Sequence, residues 1–190
     1  MRILGSRARQ FRLVALVICA QGCTTVPGSG VAPASGNATT VVVVRHAERS
    51  TDDPRDPSLS ERGQQRARAL SSLLRDAGVT EIYTTHYKRT RQTAEPFARQ
   101  FGISIVERPI DATNSATYAR DLAREILTRR AGKGVLVVGH SNTVPEIVSA
   151  LSGRTVAPMT EAEYDHVFIV VIPPSGPARL IQTSFPRPGA

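Results

Sequence analysis

The run Arg45-His46-Ala47-Glu48-Arg49 sets one imidazole between two guanidinium groups, directly after four consecutive valines. Phosphoryl transfer needs this combination: a nucleophile in line with the leaving oxygen, and fixed positive charge around the three equatorial oxygens. A neutral imidazole attacks phosphorus through one ring nitrogen, while the other keeps its proton on an acceptor that fixes the tautomer. Arginine, planar and always charged, forks onto phosphoryl oxygens from either side. Alone, the spacing is only moderately specific, because a histidine beside a strand is more often a satisfied structural residue.

Competing chemistries leave weaker traces. Gly139-His140-Ser141-Asn142-Thr143 follows an apolar run and would suit a serine hydrolase using Ser141, but Thr143 stands where the nucleophile elbow has glycine. That reading gives Arg45, Arg49 and Arg89 no task, and it offers only His166, with Asp165 beside it, as a downstream base. His86 and His166 share no ligand spacing with the other histidines, so no metal site is expected; His86 is expected at the rim of the pocket. Gly132-Lys133-Gly134 lacks the rest of a phosphate-binding loop and reads as a turn. Both cysteines, Cys19 and Cys23, lie near the N-terminus, which takes thiol chemistry out of the domain.

The formal charge of +8 suggests a nucleic-acid partner until its distribution is considered. Residues 1–22 hold four arginines and no acid, so the remainder carries 20 basic against 16 acidic residues, a net of +4. Aromatic residues make up 5% of the chain and tryptophan is absent, too few rings for a stacking surface along single strands; no nucleic-acid partner is expected. Residues 1–22 have the layout of a secretory signal: basic, then apolar over 13–20, then small at Ala20 and Gly22. Cys23 follows, a candidate lipidated first residue of the mature chain, although Ala20 and Gln21 depart from the usual bacterial lipoprotein pattern. Residues 23–39, rich in Gly, Ser, Pro, Ala and Thr and free of charge, read as a flexible tether. The expected location is the bacterial cell envelope, with the domain lipid-anchored and facing the periplasm.

The domain, residues 40–190, has room for one core. Residues 41–44 predict a strand buried on both faces, with the arginine-histidine motif at its carboxyl end. Leu59-Ser60-Glu61-Arg62-Gly63 opens a helix expected to reach residue 77, its apolar face formed by Ala67, Leu70, Leu73 and Leu74, with Gly78 as the stop. Strands are expected at 79–84, 103–106 and 134–138, and helices at 90–101, 118–130 and 144–151, the second of these helices turning Leu122, Ile126 and Leu127 inward. Two closing strands follow at 167–172 and 178–183. Alternation of this kind implies a three-layer α/β/α sandwich with a largely parallel sheet, whose ligands sit beyond the carboxyl ends of the strands. Arg45-His46 and Gly139-His140 both fall at such ends.

Three segments in this order resemble the histidine phosphatase superfamily, the phosphoglycerate-mutase-like fold. Arg45-His46-Ala47-Glu48 resembles its Arg-His-Gly signature, with Ala47 for the usual glycine. Arg89-Thr90-Arg91-Gln92-Thr93-Ala94 resembles its Arg-x-x-Gln-Thr-Ala segment, and Val137-Val138-Gly139-His140 the strand that delivers a second pocket histidine. The resemblance implies His46 as nucleophile, Arg89 as a further phosphate ligand beside Arg45 and Arg49, and His140 as a donor to the phosphoryl group. It implies a metal-independent acid phosphatase-type hydrolase without cofactor, acting on a small phosphorylated substrate. A proton donor is expected over the pocket. Branches of the superfamily place it either after the second histidine, which Ser141-Asn142 excludes here, or in the loop following the Arg89 helix, where Asp111 is favoured over Glu107, since Glu107 is placed to end a strand and pair with Arg108. Glu48 is expected to hold Arg45 or Arg89. A phosphoglycerate-mutase-like phosphotransferase and a non-catalytic phosphate-binding lipoprotein remain alternatives. Substrate identity and oligomeric state are not written in the sequence.

Overall fold

The computed structural model describes residues 36–184. The expected leader, Cys23 and the tether up to residue 35 lie outside the described residues. Ten elements follow in the predicted order: β1 (Thr39–Arg45), α1 (Glu61–Leu73), β2 (Val79–Thr84), α2 (Lys88–Phe101), β3 (Ile105–Glu107), α3 (Tyr118–Arg129), β4 (Gly134–Gly139), α4 (Thr143–Ser152), β5 (His166–Ile172) and β6 (Arg179–Ser184). One six-stranded sheet runs β3-β2-β4-β1-β5-β6. β1 to β4 pair in parallel, while β5 is antiparallel to β1 and β6 to β5. With helices on both faces, this is a largely parallel α/β/α sandwich. No helix among the described residues is long and apolar enough to cross a membrane.

The valine run shows why the central strand reads as continuously apolar. Successive side chains of a strand leave opposite faces of the sheet. Val41 and Val43 therefore enter one core with Leu122, Ile126 and Ile147 of α3 and α4, and Val42 and Val44 enter the other with Leu70, Phe97 and Ala98 of α1 and α2. Burial on both faces leaves no polar residue between Thr40 and Arg45.

Several boundaries differ from expectation. β1 begins at Thr39, paired with Ile172, so the expected tether gives way to the sheet at its last residue. α1 stops at Leu73 instead of reaching 77, and residues 74–77 form a turn closed by Ala77 N–H donating to Leu74 O. Leu73 is 51% exposed: it lies about 100° around the helix from Leu74, whose own side chain completes the buried face. Leu127 is 41% exposed for the same reason, one residue beyond buried Ile126. α2 starts at Lys88, two residues early, which brings Arg89 into its first turn.

Gly63 ties α1 to the motif. Ser60 caps the helix by accepting from Gly63 N–H at 3.1 Å, and Ser60 N–H donates to Glu48 O at 2.9 Å. A Cβ at residue 63 would collide with the Glu48 carbonyl oxygen, so the Leu-Ser-x-x-Gly pattern is a close-approach requirement of the helix on the loop.

Candidate active site

Three neighbouring strands, β2, β4 and β1, end together, and each delivers part of one site. In the β1–β4 ladder Arg45 faces Gly139, and the ladder continues one step as His46 N–H donates to Gly139 O at 2.9 Å. Their successors, His46 and His140, consequently leave the sheet side by side with ring centroids 5.3 Å apart. Gly139 admits this geometry because a side chain there would press on Thr143 Oγ1 and Val144. Thr143 in turn accepts from His140 N–H at 2.9 Å and opens α4.

The Arg-x-x-Gln-Thr-Ala segment clamps the motif loop. Thr93 Oγ1 accepts from Ala47 N–H at 2.9 Å and donates to Arg89 O at 2.7 Å, and Gln92 Oε1 accepts from Leu59 N–H at 2.8 Å. Arg89, one residue into α2, then projects beside His140, its Nη2 lying 3.4 Å from the ring's Nδ1.

The His46 ring is fixed in one tautomer. Its Nδ1 lies 2.8 Å from Ala47 O, and a carbonyl can only accept, so Nδ1 carries the proton and Nε2 the lone pair. Burial lowers its pKa from 6.5 to about 4, against the opposing pull of the Ala47 carbonyl and with further lowering by Arg45, Arg89 and Arg49. The ring is thus neutral at physiological pH, the state in which an imidazole nitrogen attacks.

His140 is neutral as well, with burial first and then His46, Arg89 and Arg45 lowering its pKa to about 3. The arginine can only donate, so Nδ1 of His140 accepts, and Nε2–H donates to Thr85 Oγ1 at 3.0 Å; Thr85 continues to Thr90 Oγ1 at 2.9 Å. In the resting site, therefore, His140 turns a lone pair towards Arg89. Donation to a phosphoryl oxygen requires that it first take up a proton on Nδ1.

All five residues expected to hold phosphate, Arg45, His46, Arg49, Arg89 and His140, line one cavity of about 540 Å³. Arg45 Nε and Arg89 Nε are buried without an acceptor among the described residues, and such donors are costly unless an oxyanion answers them. Asp111 lines the cavity too, but Thr113 hydroxyl and amide, donating to its carboxylate, hold its pKa below the usual range. Glu107 lies outside the cavity: it pairs with Arg91 at 3.3 Å, and not with Arg108, which forks onto Glu125. Glu48 likewise holds neither Arg45 nor Arg89; its partners are Arg66 at 2.6 Å and Arg62 at 3.2 Å. His86 sits behind the rim, its ring 4.1 Å from that of Tyr87, and Tyr87 is the residue that lines the cavity. Ser141 donates to Glu161 at 2.6 Å instead of to an imidazole, the contact a serine nucleophile would need. Among the described residues no group of three or more His, Cys, Asp or Glu could hold a metal.

Glu161 is a charged pocket residue that the sequence does not announce. It sits in the loop between α4 and β5, 2.8 Å from Arg45 and 3.6 Å from Arg49. The Ser141 hydroxyl, more than it is opposed by slight burial, and then the two arginines keep its carboxyl below the ordinary pKa. The same loop holds the Arg45 guanidinium through Thr160 O at 2.8 Å and Glu163 O at 3.0 Å, and Tyr164 covers it at 4.2 Å from ring centroid to Cζ. On the other side Arg89 meets Asp56 at 3.7 Å.

The sequence profile of the histidine phosphatase superfamily (branch 1) matches residues 41–110, the stretch carrying His46, Arg49 and Arg89. Over this stretch the chain is similar to that superfamily. The probable phosphoglycerate mutase GpmB of Erwinia tasmaniensis is 36% identical over 75 residues, 36% of this chain and 35% of the relative. That of Photorhabdus laumondii is 33% identical over 96 residues, 47% and 41%. The chain thus spans about two-fifths or less of the curated relatives it matches. Among solved structures the fold resembles the protein histidine phosphatase SixA complexed with tungstate (TM-score 0.56, 20% identity, 76% of this chain and 96% of that one). It also resembles a mycobacterial glucosyl-3-phosphoglycerate phosphatase (TM-score 0.57, 15% identity, 76% and 97%).

A neutral His140 has a measurable consequence. Binding of inorganic phosphate near pH 7.5 is expected to draw up to one proton onto Nδ1, because a nearby dianion favours the charged imidazolium. Calorimetry in two buffers of different ionisation enthalpy should register this uptake in the wild type and lose it in His140→Asn; equal uptake in both would place the proton elsewhere.

Proposed function

We propose that the chain is a phosphomonoester hydrolase acting through a covalent phosphohistidine on His46. The observation that carries this reading is the buried, neutral His46 ring with Nδ1–H committed to Ala47 O at 2.8 Å and Nε2 free to attack. Nε2 bonds to phosphorus as the bond to the ester oxygen breaks, and Arg45, Arg49 and Arg89 carry the charge on the equatorial oxygens. Water then attacks the phosphohistidine, releasing phosphate and restoring the imidazole. Of the two candidate donors, Asp111 is the one that reaches the cavity, and a bound phosphoryl dianion would raise its pKa towards the protonated form. No step draws on a metal or cofactor. Phosphotransfer to a second alcohol is a second reading, favoured by the curated relatives named as mutases.

We further propose that residues 1–22 direct export and that Cys23 is lipidated, anchoring the domain in the cell envelope. Replacement Cys23→Ser is expected to move the protein from the membrane to the soluble fraction, and an unchanged membrane fraction would refute the anchor.

In solution, His46→Ala should lower release of phosphate from p-nitrophenyl phosphate by at least about 10³-fold, the scale of losing a covalent nucleophile. EDTA should leave the wild type active. In the same assay Asp111→Asn is expected to slow an alkyl phosphate, whose leaving group needs a proton, more than p-nitrophenyl phosphate, which does not. Activity surviving His46→Ala would overturn the assignment.

A further inference from the structure

Beside the phosphate cavity lies a second one of about 670 Å³, within the range of pockets that take small organic ligands. The two share Ser141 and Asn142, the residues that follow His140 and lead into α4, so one molecule can reach from one into the other. The character of the walls changes across that boundary. The first cavity is built from arginines and histidines; the second is lined by Ala116, Pro145, Ala150, Val156, Pro158 and Met159. Of its polar groups, the two serines are already engaged, and the others stand at exposed positions. Ser149 Oγ donates to Pro145 O at 2.7 Å and accepts from Val156 N–H at 3.2 Å, and the Ser141 hydroxyl is engaged with Glu161. Arg120, Asn142 and Glu146 are all solvent-exposed.

We infer that this cavity is a leaving-group subsite for an apolar alkyl or aryl body, making the substrate a phosphate monoester of an apolar alcohol. The inference rests on the hydrolase reading of the neighbouring site and adds the chemistry of the other half of the substrate. Against the stretch of wall formed by Pro145, Val156, Pro158 and Met159, a polyhydroxylated alcohol would give up water without gaining a partner, a cost that an apolar body does not carry. Its phosphoryl group stays on the arginines while the hydrocarbon leaves water, which drives binding without any specific contact.

Normal alkyl phosphates from methyl to hexyl test this cleanly, because their leaving groups are chemically alike and only buried length changes. In the wild type kcat/KM is expected to rise about three- to fourfold per buried methylene. Ala150→Trp and Ala116→Trp, both at exposed positions of the cavity wall, should flatten that rise, costing hexyl phosphate at least about tenfold while leaving methyl phosphate unchanged. Binding of hexylphosphonate against methylphosphonate, measured by calorimetry, needs no turnover. Tighter hexylphosphonate binding without hydrolysis of any ester would uphold the subsite and sink the hydrolase reading. A flat series, equal binding of the two phosphonates, or tryptophan variants that slow methyl and hexyl phosphate alike would overturn the subsite.

Discussion

The main-chain hydrogen bond from His46 N–H to Gly139 O, 2.9 Å long, extends the β1–β4 ladder one residue past its last strand pair. Both histidines depend on it. A slip of one residue in this register would exchange the two faces of β1, sending Val41 and Val43 to the wrong core and Arg45 away from the cavity. The cores on either side therefore fix the register, and the register fixes the distance between the rings. The glycines at 63 and 139 serve the same end by letting backbone approach where any side chain would collide.

Electrostatics then divides the labour within the cavity. Burial makes both imidazoles neutral, whereas the arginines remain charged and supply the field. In the resting protein that field is partly answered by carboxylates: Glu161 on Arg45 and Arg49, Asp56 on Arg89. On the proposed reading, a phosphoryl group entering the site would compete with these carboxylates for the same guanidinium groups. Glu161 side chain is 65% exposed while that of Arg45 is 1% exposed, so the carboxylate is the partner free to turn away. The Thr85–Thr90 hydroxyl pair plays a quieter part, fixing the His140 tautomer from behind the ring.

How much of this the sequence discloses depends on range. The valine run, the strand-helix alternation and the placing of both histidines at strand ends are local signals, and the architecture matches them. Arg89 has no such local signal; its place follows from a motif whose remaining members, Gln92 and Thr93, prove to brace the loops at Leu59 and Ala47. Glu161 stood outside reach because it comes from an irregular loop more than 110 residues from Arg45, with no periodicity to mark it. Glu48 illustrates the converse. Proximity in sequence suggested Arg45 as its partner, but neighbours along an extended segment point apart, and the carboxylate meets Arg62 and Arg66 across the α1 interface instead. Helix ends erred where apolar side chains continued past the last turn, as at Leu74.

In the proposed hydrolysis everything turns on which nitrogen attacks. Acid-free trapping of the phosphoenzyme, followed by phosphorus–nitrogen NMR and peptide mapping, reads the bonded atom directly. The geometry predicts phosphorus on Nε2 of His46, with Nδ1 still protonated against Ala47 O. Phosphate on Nδ1, on His140 or on Ser141 would contradict it.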